Sequence, residues 1–183
     1  MKGKSYFMIA AFAVLFVAVS LASGETLQIS STDNGVWTSP LEAGRAYVFI
    51  ASGTWIASKT QYENYGTLLC DAEWTLPGQD QNVPWVELYD THQYSDDIHD
   101  ITINGAYVDW LGSSDGNSWE PHVFSSNHIY RYYFMGTGEA VYLAISDDYR
   151  VDNSGSVTVE VVPEPAMLSL LTLGGLAVLR RRR

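Results

Sequence analysis

Apolar residues are arranged in two different ways along this 183-residue chain. Near each end they form one unbroken block. Residues 7–22 are apolar apart from Ser20, and residues 166–179 carry no charge over fourteen positions. Between these blocks they come in short runs or at every second position. Residues 47–50 (Tyr-Val-Phe-Ile) form a short run that stops at Ser52-Gly53. From Ile129 to Met135 the chain alternates, with Tyr130, Tyr132 and Phe134 on one face. Val141, Leu143 and Ile145 share a face, as do Val157, Val159 and Val161. A period of two is the signature of half-buried strands. No ten-residue stretch of this region has convincing 3.6-residue spacing. Clusters of turn-forming residues separate the runs: Asp33-Asn34-Gly35, residues 113–117, Gly136-Thr137-Gly138 and residues 152–155. The pattern predicts an all-β fold, a single antiparallel β-sandwich or jelly roll. It is flanked by an N-terminal signal helix and a short C-terminal transmembrane helix.

The end blocks carry export chemistry. Lys2 and Lys4 precede the first, and Ala22-Ser23-Gly24 supplies small residues ahead of Glu25. Residues 1–24 therefore read as a signal peptide cut by signal peptidase. The second block follows Pro163-Glu164-Pro165 and ends in Arg180, Arg181, Arg182 and Arg183. As a helix its fourteen residues reach about 21 Å, short of a ~30 Å hydrocarbon core. Long arginine side chains can snorkel to the interface, and the cluster favours the cytoplasmic side. A Pro-Glu-Pro triplet, a short apolar segment and a terminal arginine cluster resemble the PEP-CTERM sorting signal of Gram-negative bacteria. The resemblance implies that residues 162–183 hold the protein transiently in the inner membrane. Cleavage near the triplet by an exosortase would then release it to the cell surface or extracellular matrix. Residues 25–161 remain as the working domain.

That domain is strongly acidic. All twenty-one Asp and Glu residues lie between residues 25 and 165, against only Arg45, Lys59, Arg131 and Arg150, a net charge of −17. Such a surface repels nucleic acid, which needs a basic footprint. It repels anionic lipid as well, whereas divalent cations are attracted to carboxylate oxygens. Cys70 is the only cysteine, which excludes an internal disulfide and a cysteine-type zinc site. It is expected to be a buried, small apolar residue.

One segment combines these features. An apolar strand ends at Ser146-Asp147, and a second strand begins after Asp152-Asn153-Ser154-Gly155. Three carboxylates and an amide fall within residues 147–153. One loop can wrap them round a calcium ion, which accepts six to eight oxygens, backbone carbonyls included. The same composition also suits a solvated hairpin turn. The pattern looks like the end of the PA-IL-like galactophilic lectin family. Residues 37–55 and 107–112 follow that family in outline, so the likeness spans roughly residues 37–161. The resemblance implies a small β-sandwich that binds calcium before its last strand, with hydroxyls of a galactoside or polysaccharide completing the coordination. It assigns Asp147 as the acidic ligand, and Asp152 and Asn153 as the paired ligands. Asp152 stands where the family has Asn. The loop is about two residues shorter, and the family's carbonyl-donating threonine has no counterpart. The carbonyl of Tyr149 or Arg150 is the substitute, with a further carbonyl near Ser58.

Residues 71–100 fit the family poorly. The acids there read as a solvated loop. His92 and His99 with nearby carboxylates are metal-capable but match no known spacing. A glycoside hydrolase would need two facing carboxylates. Trp74, Trp85 and Trp119, flanked by polar, Pro or Gly residues, are the candidates for stacking on a sugar. The sequence thus reads as a non-catalytic, exported, calcium-dependent carbohydrate-binding protein. The competing readings are a structural matrix sandwich without a sugar site and, last, a glycoside hydrolase.

Overall fold

The computed structural model describes residues 24–58, 67–77, 84–87, 100–147 and 150–164. These include eleven strands: β1 (Glu25–Ser30), β2 (Val36–Trp37), β3 (Ala46–Ser52), β4 (Trp55–Ser58), β5 (Thr67–Cys70), β6 (Trp74–Pro77), β7 (Val86–Glu87), β8 (Ile101–Ile103), β9 (Ile129–Met135), β10 (Tyr142–Ile145) and β11 (Ser154–Pro163). A 3₁₀ turn, Arg150–Asp152, lies between β10 and β11. The expected signal helix and transmembrane helix lie outside the described residues. Among the described residues no helix is long and apolar enough to cross a membrane.

All pairings are antiparallel and form two sheets. The larger runs β7-β6-β5-β4-β11-β3-β9, with β1 added on β11, and the smaller runs β2-β10-β8. β11 organises the larger one. Its residues Thr158 to Pro163 pair with Ser52 to Tyr47 of β3, Ser154 and Gly155 pair with Ile56 and Trp55 of β4, and Ser156 to Val161 pair with Ser30 to Glu25 of β1. β3 and β4 are separated by Gly53, which has φ +99°, and Gly155 opposite Trp55 has φ +94°. Both values lie in the left-handed region that glycine enters without strain. A Cβ at Gly155 would also stand 3.3 Å from Trp55 Cα.

The two sheets share one core. Ile29, Phe49, Ala51, Trp55, Val157, Val159 and Val161 from the larger sheet meet Ile101, Ile103, Leu143 and Ile145 from the smaller one. Trp110 and Tyr130 are fully buried among them. The apolar face of each alternating run points into this core, as the sequence pattern requires, while Tyr133 and Met135 of β9 face outward. A core shared by two antiparallel sheets fits a β-sandwich. Cys70 is buried, as expected.

The segment 71–100 departs from the expected solvated loop. β6 and β7 extend the larger sheet, and Asp71, Glu73 and Asp100 are all buried. These carboxylates accept hydrogen bonds from backbone and side-chain donors inside the fold, as described below. His92, Asp96, Asp97 and His99 lie outside the described residues.

Phe49 is fully buried and stacks on Phe134 with centroids 5.4 Å apart. Replacing it with Ala should cost about 3–5 kcal/mol in a urea melt. Tyr133→Ala, on the outward face of β9, should change stability by less than about 0.5 kcal/mol.

Candidate functional site

The loop between β10 and β11 is tied down from both sides. Ser146 N–H donates to the carbonyl of Asp100 (2.8 Å), and Asp147 follows. Asn153 Nδ2 donates to Asp147 Oδ2 (2.8 Å) and to the Ser31 carbonyl (3.1 Å). This brings together the ends of β1, β10 and β11. Arg150 acts through its guanidinium. Nε donates to the Asp147 carbonyl (3.0 Å), Nη2 to the Ile145 carbonyl (3.2 Å), and Nη1 to the Asp33 carbonyl and Asn34 Oδ1 (both 3.1 Å). The Arg150 carbonyl, a possible ligand by sequence, accepts the Asn153 N–H at 3.2 Å. Arg150 therefore stitches the loop to the turn after β1, a role the sequence did not reveal.

The acceptors in this loop are unevenly satisfied. Both carboxylate oxygens of Asp152 and Oδ1 of Asn153 are buried without a hydrogen-bond partner among the described residues. Leaving a buried acceptor unpaired costs about 1–3 kcal/mol, and more for a charged group. Three such oxygens sit on two adjacent residues, of which Asn153 bonds through its Nδ2 to the Asp147 carboxylate, and oxygens are the hard donors calcium takes. The set fits that ion. Among the described residues no three His, Cys, Asp or Glu side chains gather to hold a metal. The loop contributes two described acids and one amide, a mixture suited to calcium and unsuited to zinc. Asp148 and Tyr149 lie outside the described residues, and the side chain of Ser58 does too.

Trp74 and Trp85 meet at Phe124. Trp74 is edge-on to it at 5.7 Å, and Trp85 stacks on it at 5.3 Å while lying 4.8 Å from the His128 ring. Trp119 carries the Arg131 guanidinium 4.0 Å over its ring. These three rings are thus partly occupied by partners within the domain. The most exposed tryptophan is Trp37 (63%), whose ring lies 5.0 Å from that of Tyr142 on the smaller sheet. Trp37 opens the stretch 37–55 that resembles the lectin family in outline, and it lies in the short strand β2. Its neighbours Gly35, Ser39 and Pro40 were the available signal of a short edge element.

A second polar centre is buried near His128. Asp71 Oδ1 accepts the N–H groups of Glu73 (2.9 Å) and Trp74 (2.7 Å). Its Oδ2 lies 2.8 Å from His128 Nδ1 and accepts the Tyr130 hydroxyl at 2.8 Å. Glu73 Oε2 accepts the Trp110 N–H (3.1 Å), and Asp100 Oδ1 accepts that of Ile101 (2.6 Å). Burial first, then the Asp71 charge, push the Tyr130 phenol above its ordinary range. Burial also pushes the Cys70 thiol up to about 12, opposed by its contact with Thr75 Oγ1 at 3.4 Å. An Asp–His pair can orient a general base. Among the described residues, however, no serine hydroxyl or thiol is hydrogen-bonded to His128. Asp71 instead joins the β5–β6 turn to β9 and the turn before it.

The last strand leads directly into the C-terminal tail, with Pro163 of β11 still opposite Tyr47 of β3. Residues 161–183 match the PEP-CTERM protein-sorting motif. The motif implies export, processing by exosortase, and a cell-surface or extracellular destination. No curated protein and no solved structure matches the chain. The sorting motif thus accounts for the tail, and the domain's role has to be argued from its own residues.

Asp100 generates a pH test. Burial, followed by the Glu73 carboxylate, raises its carboxyl well above the ordinary range, against the opposing bond from Ile101. The folded state therefore binds this proton more tightly than the unfolded chain does. Its contribution is complete below about pH 3.9, the ordinary value, and is lost as pH rises through the raised value. Asp100→Asn keeps the acceptor and removes the titration. Melting curves from pH 4 to 8 should show the variant gaining on the wild type as pH rises.

Proposed function

We propose that this is a non-catalytic surface or matrix protein whose domain binds calcium in the 147–153 loop and, through it, a galactoside or extracellular polysaccharide. Export and exosortase processing rest on the sorting motif. Removal of residues 1–24 by signal peptidase and transient anchoring in the inner membrane belong to the same reading. The observation that carries the calcium assignment is the set of orphaned oxygens on Asp152 and Asn153. A divalent cation would relieve all three, with Asp147 as the further acidic ligand and the Arg150 guanidinium offsetting part of the loop's charge. When bound, calcium would also offer coordination positions to vicinal sugar hydroxyls. The protein's part is to fix Asp147 and Asn153 against each other and to keep competing hydrogen-bond donors away from Asp152.

A structural matrix sandwich is the second reading. It is favoured by the Asn153–Asp147 hydrogen bond, in which two of the assigned ligands already satisfy each other. The two readings differ in their response to metal. Calcium should raise the melting temperature of the exported protein by mass action, and EDTA should reverse the rise. Asp152→Ala should abolish that response. In the presence of EDTA the same variant should be as stable as the wild type or more so, because it removes two buried, unpartnered oxygens. A melt indifferent to calcium and EDTA favours the structural reading.

Sugar binding is tested separately on a glycan array, with the protein displayed multivalently to compensate for weak single sites. Metal-mediated recognition predicts galactoside or polysaccharide binding that EDTA abolishes. Binding that survives EDTA would locate the sugar away from the metal, where the exposed Trp37–Tyr142 pair is the first place to mutate.

A further inference from the structure

The outer face of the smaller sheet carries aromatic surface that the candidate metal loop does not use. Tyr142 and Leu143 of β10 stand opposite Trp37 and Val36 of β2. Leu143 is buried in the core and Val36 packs against it. Tyr142 and Trp37 therefore turn outward, as the two-residue period of a strand requires. Their ring centroids lie 5.0 Å apart at an interplanar angle of 44°, and more than half of Trp37 is open to solvent. The backbone under the pair is pinned. The Tyr142 N–H donates to Asn104 Oδ1 (2.9 Å), the Thr38 N–H donates to the Val141 carbonyl (2.9 Å), and the Val141 N–H returns to Thr38 Oγ1 (2.9 Å). Gly35 has φ +108°, and a Cβ there would stand 2.5 Å from the Leu143 carbonyl oxygen and 2.7 Å from the Tyr142 hydroxyl. The chain passes this close to Tyr142 only because residue 35 has no side chain.

Rigid side chains with an apolar face and a polar tip give contact area at little cost in ordering. On Trp37 and Tyr142 the tips are the indole N–H and the phenol hydroxyl. Residues 25–165 carry a net charge of −17, which keeps polyanions away, while the neighbours Val36, Thr38 and Asn104 are uncharged. A cation would call for a cage of several ring faces. A single pair open to one side suits a flat, uncharged ring with C–H bonds on its face and hydroxyls at its edge, which describes a pyranose. The sorting motif sends the protein to the cell surface or beyond, where such polymers are met. We propose that the Trp37–Tyr142 pair is a stacking site for a neutral, pyranose-based polysaccharide, and that it works without metal. The inference goes beyond the calcium reading, because neither ring belongs to the 147–153 loop and stacking requires no coordinated ion.

The test is frontal affinity chromatography of the exported protein, in EDTA, on columns carrying galactan, galactomannan or mixed-linkage β-glucan. The repeated sugars of each polymer compensate for a weak single site. At least one column should retard the protein, and should still do so in about 0.5 M NaCl, which screens charge pairs and leaves stacking intact. Trp37→Ala should weaken that binding at least about ten-fold, as loss of an aromatic anchor does. Trp37→Phe, which keeps a ring, should restore part of it, and both variants should melt with the wild type. Tyr133→Ala, which removes an exposed ring from the larger sheet, should bind as the wild type does. No retardation on any column in EDTA overturns the inference, whatever calcium then does to sugar binding. Retardation that salt removes, or that Trp37→Ala leaves unchanged, overturns it as well. An oligomer that Trp37→Ala converts to monomers, with no retardation, would give the pair to a second copy of this chain and reject the glycan.

Discussion

The pairing of β11 is the constraint on which this domain depends. It is the last strand among the described residues, yet it lies inside the larger sheet and takes up edges of β1, β3 and β4. Remove it and those three strands have no common partner, while Val157, Val159 and Val161 leave the core together. The candidate metal loop depends on it too. Asn153 immediately precedes β11 and bonds back to Ser31 at the end of β1, so the β1–β11 register holds the amide in place. Site and sheet are therefore one construction, and weakening the register should loosen the loop.

A second tension comes from charge. Residues 25–165, with a net charge of −17, would be expected to keep their carboxylates in water, yet Asp71, Glu73 and Asp100 are buried. They are tolerated for different reasons. Asp71 is approached by four groups, from Glu73, Trp74, His128 and Tyr130, enough to hold a carboxylate without solvent. Asp100 accepts one short bond from Ile101 and sits near the charge of Glu73, so it favours its proton. Asp71 ties together segments far apart in sequence, and Asp100, just before β8, favours its protonated form.

What could be read from the sequence follows from how local each cause is. The strands β9, β10 and β11 were legible because each turns one apolar face to the core and so alternates. The strands β5 to β7 were not, since they have two to four residues each and are defined by their partners. The burial of Asp71 and Glu73 was hidden for a related reason: besides nearby N–H groups, their partners include Trp110, His128 and Tyr130, dozens of residues away. Asp147, Asp152 and Asn153 were legible as oxygen donors in one loop. That Asp152 and Asn153 have unsatisfied oxygens depends on the packing around them, including Arg150 and the turn at Ser31 to Asn34. The sorting motif was legible in full because it is written in linear order.

Cys70 gives the buried interior a bearing on time. An exported chain passes through surroundings that oxidise thiols. In the folded domain this thiol is enclosed, and burial pushes its pKa up to about 12, which disfavours the reactive thiolate. The unfolded chain has an ordinary thiol, open to disulfide exchange with any neighbour. The danger lasts only until β5 closes between β4 and β6. The lone cysteine is thus shielded by the completed fold and by nothing before it.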